Sequence, residues 1–194
     1  SIIMSLVTFL LEDSHIKKQW LPWILLAILA SSNVHAECNK GSCQNGKGTY
    51  TWPDGDVYEG DFIDGARTGK GTYTWPNGYI YEGDFVDGAR TGKGTYTWPD
   101  GDVYEGDWVD GKQYGRGKLV WGKGDWEGNI YEGDFVDGAR TGKGKLVWGK
   151  GDWEGDVYEG DFIDGAMTGK GTYTWPNGDV YEGDFIDGAD TGKG

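Results

Sequence analysis

Beyond residue 36 the chain has no histidine: its two, His15 and His35, both fall within the first 36 residues. Serine is nearly as scarce there, with Ser42 alone. These absences remove His-based catalytic triads and His-rich metal sites from residues 37–194. Long apolar runs are missing too. LPWILLAILA (21–30) falls well short of the ~20 residues that a membrane-spanning helix needs. No later window keeps a 3.6-residue apolar stripe free of Gly or Pro, which excludes amphipathic helices. Positive charge is also short, with a net charge of −14. The whole deficit follows Ala36, because Lys17 and Lys18 balance Glu12 and Asp13. Such a surface repels nucleic acid and anionic lipid at long range and favours cationic partners.

The first 36 residues read as a targeting segment. Lys17-Lys18 precede the apolar run, and SSNVHA follows it with small residues at Val34 and Ala36. This is the layout of a secretory signal helix cut after Ala36, and it predicts a secreted or periplasmic chain. An uncleaved anchor is the alternative. Cys38 and Cys43 are the only cysteines and lie just past the predicted cut. In an oxidising compartment CNKGSC can close a small disulfide ring ahead of the first strand; two free thiols are the alternative. The chain therefore divides into a signal (1–36), a Cys-containing cap (37–47) and a repeat array (48–194). The array stops at GADTGKG, partway through a unit, as a C-terminally truncated array would.

Glycine (37) and aromatic rings (Trp 11, Tyr 12, Phe 6) are abundant. That is too many rings for an acidic disordered polymer. YEGD recurs at Tyr58, Tyr81, Tyr104, Tyr131, Tyr158 and Tyr181, spaced 23, 23, 27, 27 and 23 residues apart. A near-fixed period in this range marks a stacked-repeat architecture. Each unit reads as a β-hairpin: GTYTW, a Pro-Asp-Gly or Pro-Asn-Gly turn, then VYEGDF. DGARTGKG, with Gly at both ends, reads as the turn between hairpins. A single hairpin cannot stand alone, so the units must stack. The expected fold is all-β: an elongated single-layer antiparallel sheet of about six hairpins, hence twelve strands, preceded by the signal helix.

Strand parity puts Tyr73 and Trp75 on one face with Tyr81, Gly83 and Phe85, where Gly83 leaves a gap for a neighbouring ring. Glu82, Asp84 and the threonines take the other face. Glu59/Asp61 and their copies are repeat positions in like environments, whereas a catalytic carboxylate pair needs unlike ones. Asp-Gly-Asp at 54–56 and 100–102 reads as turn chemistry rather than a calcium loop. The fourth and fifth hairpins, KLVWGKGDWEGNIYEG and KLVWGKGDWEGDVYEG, replace the Pro turn with longer loops. Those loops read either as a local binding feature or as longer strands with one more stacked Trp.

The pattern Y-E-G-D-[FW]…G-[KR]-G-x-[YL]-x-W…G at this period resembles the MORN (membrane occupation and recognition nexus) repeat family. The likeness covers about residues 46–194 and recurs six times. The opening CNKGSCQNGKGTYTW is similar to secreted bacterial-type MORN proteins with a paired-cysteine start. The resemblance implies a hairpin ribbon that serves as a scaffold for proteins or lipids. Many family members place a basic residue after the strand-end aromatic; here Ile63-Asp64 and Val86-Asp87 stand there, which weakens the case for acidic lipid.

The function expected is a non-catalytic scaffold that holds a protein or peptide on an exposed aromatic face. Tyr73, Trp75, Tyr81, Phe85, Tyr96, Trp98, Tyr104 and Trp108 would form the ladder. Trp121, Trp126, Trp148 and Trp153 would form the loop cluster. Glycan stacking on the same rings is an alternative. An anionic-lipid surface is another, resting on a basic row of Arg67/Lys70, Arg90/Lys93, Lys112/Arg116, Arg140/Lys143 and Lys170. Against that row stand Asp64, Asp87, Asp110, Asp137 and Asp164 and the net charge. No cofactor, metal or nucleic acid is expected, and open edge strands leave a route to self-association.

Overall fold

Two kinds of reversal alternate along the chain, and they set the strand boundaries. A computed structural model describes residues 37–190; the signal segment expected over 1–36 lies outside the described residues. At Trp52-Pro53-Asp54-Gly55 the Gly55 N–H donates to the Trp52 carbonyl at 2.9 Å. Pro at the first central position and Gly55 at φ 94° give the type I turn with a left-handed residue behind it that the sequence predicts. The second reversal is Asp64-Gly65, with φ of 50° and 79°. Two consecutive left-handed residues make a type I′ hairpin, whose twist matches the strands it joins.

The strands are β1 (Glu37–Gly41), β2 (Gly46–Thr51), β3 (Val57–Ile63), β4 (Ala66–Thr74), β5 (Ile80–Val86), β6 (Ala89–Thr97) and β7 (Val103–Val109). The second half holds β8 (Lys112–Val120), β9 (Ile130–Val136), β10 (Ala139–Val147), β11 (Val157–Ile163), β12 (Ala166–Thr174), β13 (Val180–Ile186) and β14 (Ala189–Asp190). They form one antiparallel sheet in strict chain order. Fourteen strands replace the expected twelve because the cysteine segment pairs as β1 and residues 189–190 add β14. Cys38 and Cys43 are joined (S–S 2.08 Å). The bridge therefore starts inside the first strand rather than ahead of it.

DGARTGKG is not a turn. Only Asp64-Gly65 reverses the chain, and ARTGKGTYT runs on as β4. The glycines belong instead to a bulge. Against β3, Gly71 opposes Gly60 but Thr68 opposes Asp61, which leaves Gly69 and Lys70 over. Those two pair with Phe85 and Asp84 of β5. Gly69, at φ 59°, supplies the left-handed residue that such a bulge favours. The aspartate of YEGD ties it down: Asp84 accepts the Lys93 N–H at 3.1 Å, and Asp134 accepts that of Lys143 at 3.0 Å.

Glycine also makes room for the core. Gly71, Gly83 and Gly94 oppose one another across β4, β5 and β6, and the row continues through neighbouring strands. The ring that fills the gap belongs to the tyrosine two residues earlier in the same strand. A methyl group on Gly83 would fall 2.6 Å from the Tyr81 hydroxyl, and one on Gly94 2.5 Å from it. Tyr81 thus lies flat over two glycines and donates to the Asp84 carbonyl at 3.1 Å. Phe85 and Trp108 stack edge-on against it, with centroids 5.1 Å away in each case. At the first hairpin Cys43 takes the ring's place, its Sγ 2.9 Å from a methyl built on Gly48.

The opposite face carries charge, as parity predicts. Lys70–Asp84 (2.8 Å), Lys93–Asp107 (2.6 Å), Lys143–Asp161 (2.7 Å) and Lys170–Asp184 (2.9 Å) repeat along it. These lysines pair with the aspartate of YEGD, not with the turn aspartates; Lys112 pairs with the turn residue Asp137 (3.2 Å), and Lys118 and Lys150 pair with Glu132 and Glu127.

Candidate binding site

The aromatic face is mostly core rather than an open ladder. Tyr81, Phe85, Tyr104 and Trp108, expected to be exposed, are fully or almost fully buried, and Tyr73 nearly so. Among the described residues the sheet buries these rings by stacking its own side chains two deep. Tyrosine lies on glycine, and phenylalanine or tryptophan lies against tyrosine. Burial pushes the Tyr58, Tyr81, Tyr131 and Tyr158 phenols up to about 12, so they remain protonated hydrogen-bond donors at neutral pH. Trp75, Tyr96, Trp98, Trp121 and Trp148 are half-buried against this core and form its rim.

Arginine completes the cover, which the sequence reading missed by placing Arg67, Arg90 and Arg140 in a solvated basic row. The bulge leaves two residues over and so keeps the parity of the strand, and Arg67, six residues before Tyr73, opposes Phe62 on the aromatic face. Its Cζ lies 4.9 Å from the Tyr73 centroid, 5.5 Å from Phe85 and 5.6 Å from Trp52, and its Nη2 donates to the Gly88 carbonyl at 2.7 Å. Arg90 repeats this with Trp108 (4.9 Å) and the Gly111 carbonyl (2.8 Å). Arg140 lies 5.2 Å from Trp121, and burial lowers its pKa. Recurrence of Arg six residues before Tyr73, Tyr96 and Leu146, hence at their strand parity, was the available signal; reading ARTGKG as a turn hid it.

The two long loops stack on their neighbours. The Lys123 N–H donates to the Asp100 carbonyl at 2.8 Å and the Lys150 N–H to the Glu127 carbonyl at 3.0 Å. The buried Asn129 side chain accepts the Gly149 N–H at 2.7 Å, as Asp102 accepts that of Gly122. Where the next repeat offers Tyr instead of Leu, the same position accepts a phenol: Tyr73 donates to Asp56 and Tyr173 to the buried Asp156. This leaves Trp126 and Trp153 at equivalent loop positions, 58% and 60% exposed. Of the twelve rings expected to contact a partner, these two alone are open to solvent.

The charged face holds an open groove of about 1010 Å³, floored by glycine backbone and lined by Lys145, Glu159, Lys170 and Glu182 among others. Among the described residues no cluster of three or more His, Cys, Asp or Glu could hold a metal ion.

A family model described as "MORN repeat" matches residues 44–57, 58–78, 81–103, 104–126, 131–153 and 158–180. The chain belongs to the MORN repeat family. The matched units follow the structural period, and the five from residue 58 on each carry one Tyr-over-Gly core element. None of the curated proteins compared matches the chain. Among solved structures it has a likeness to one titled "Streptogramin B lyase structure". That likeness is 14% identical over 80% of this chain and 75% of that one, with a TM-score of 0.20, and it carries no argument. As a MORN repeat protein the chain is a repeat-based binding module.

Proposed function

We propose that this MORN array is a secreted, non-catalytic scaffold that holds a protein or peptide partner on its aromatic side, at the rim rather than across the face. The observation that carries this is the exposure of Trp126 and Trp153. Two large rings held outward on hydrogen-bonded loops, beside half-buried Trp121 and Trp148, have the composition of an interface hot spot. A cationic or neutral partner suits the net charge. The anionic-lipid reading is less favoured, because Lys70, Lys93, Lys143 and Lys170 already face carboxylates and Arg67, Arg90 and Arg140 are committed to rings.

Site-specific photo-crosslinking tests this. A photoreactive phenylalanine replaces Trp126 or Trp153, with Glu82 and Glu105 on the charged face as control positions. The protein is exposed to the proteins of its native compartment. Discrete protein adducts from 126 and 153 but not from 82 and 105 support the proposal. Adducts from the charged face alone overturn it.

A further inference from the structure

Three repeats close the aromatic face with their own arginine; the third has Gln113 at that position, and the fifth has no polar side chain there at all. Arg67, Arg90 and Arg140 have Met167 as their counterpart, nine residues after the YEGD tyrosine in each case. The rings that surround Arg67 are nevertheless kept. Trp52, Tyr73 and Phe85 correspond to Trp148, Tyr173 and Phe185, and these three line a pocket of about 280 Å³ at Met167. The hydrogen-bond acceptor is kept as well. Arg67 and Arg90 each donate to a glycine carbonyl 21 residues on; the residue 21 beyond Met167 is Gly188, which also lines the pocket.

The charge beneath the slot is retained too. Tyr73, under Arg67, donates to Asp56; Tyr173, which lines the pocket, donates to Asp156. Asp156 is only 3% exposed, and among the described residues no lysine or arginine lies within ion-pair distance of it. A buried carboxylate costs free energy unless charge or hydrogen bonds offset it, and a cation in the slot would add to what the phenol supplies.

We propose that the pocket at Met167 takes a guanidinium group, the side chain of an arginine on a partner protein. The proposal rests on the reading of the array as a protein-binding scaffold and names one feature of the partner. The planar cation would stack on Trp148, Tyr173 and Phe185 as Arg67 stacks on their counterparts, and donate to the Gly188 carbonyl. Trp153, which also lines the pocket and lies on the exposed loop, places the slot beside the proposed contact surface. Desolvated cation–π contact favours the charged planar group over an uncharged isostere.

The probe is N-acetyl-L-arginine amide, titrated into the folded chain while the indole N–H resonances are followed by NMR. Saturable shifts at Trp148 and Trp153 are expected, with a dissociation constant on the order of 10 mM for one isolated side chain. The uncharged isostere N-acetyl-L-citrulline amide should bind at least about tenfold more weakly. Met167→Arg, which puts the chain's own guanidinium into the slot as at Arg140, should keep the fold and cut binding at least about tenfold. Equal binding of citrulline, unchanged binding to Met167→Arg, or no saturable shift at these indoles would overturn the proposal. The titration uses no partner protein, so its failure leaves the crosslinking result from positions 126 and 153 standing, and the reverse holds equally.

Discussion

The ring of Tyr58 lies flat across Gly71 of the neighbouring strand, so that a methyl group on Gly71 would fall 2.4 Å from the phenol. The contact is repeated by Tyr81 on Gly94, Tyr104 on Gly117, Tyr131 on Gly144 and Tyr158 on Gly171. Gly71→Ala must push this ring off its seat, together with Phe62 and Phe85, which pack on it. The expected loss is about 2–4 kcal/mol in denaturant unfolding. Thr72→Ala, one residue on and facing the charged side, should change stability by less than about 1 kcal/mol.

The stacked phenols should make the fold sensitive to alkali. Burial raises Tyr58, Tyr81, Tyr131 and Tyr158 from 10 to about 12. The folded state therefore holds these protons more tightly than the unfolded state. Their contribution is fully present below pH 10 and is lost as pH rises toward 12. Circular dichroism and phenolate absorbance followed together should show unfolding and tyrosine ionisation as one transition in that window. Ionisation near pH 10 with the sheet intact would contradict the seating of the rings.

Asp84 is held below the usual carboxylate range first by its hydrogen bond from Lys70 and also by the Lys93 backbone N–H. The second partner matters more for the fold, since it satisfies the bulge. Asp84→Ala should cost about 1 kcal/mol in thermal or denaturant unfolding, whereas Lys70→Ala, which removes only an exposed ion pair, should be near neutral. Equal losses for the two variants would contradict the bulge role.

Tyr173→Phe removes the phenol that donates to Asp156 and leaves the buried carboxylate short of a donor. A loss of about 1–3 kcal/mol is expected. Tyr173→Phe combined with Asp156→Leu should recover part of it, because removing both polar partners leaves no buried group unsatisfied.

Much of the fold was legible because glycine and proline state their reasons locally. Trp-Pro-Asp-Gly at 52–55 reads as a type I turn and folds as one, and Tyr81-Gly83-Phe85 shares a face as period-two parity requires. The longer reach of ARTGKG was missed because Gly69 marks a bulge inside β4, where glycine density alone suggests a turn; Asp64-Gly65 was the stronger hairpin signal. The site was less legible. Parity puts Tyr81 and Trp108 on a face but says nothing about what covers them. That depends on Arg90, as the cover of Tyr73 and Phe85 depends on Arg67; both arginines keep the strand parity of the tyrosine six residues on, which a turn at ARTGKG hides. Trp126 and Trp153 were legible as departures from the repeat, although their exposure was not.

Residue-resolved hydroxyl-radical footprinting with mass spectrometry tests most directly the claim that the aromatic face is core and the loop tryptophans are surface. Trp126 and Trp153 should oxidise readily in the folded protein, while Tyr81, Phe85, Tyr104 and Trp108 stay protected until denaturant unfolds the sheet. Oxidation of Tyr81 and Tyr104 at rates matching Trp126 and Trp153 under native conditions would restore the open ladder and contradict the account.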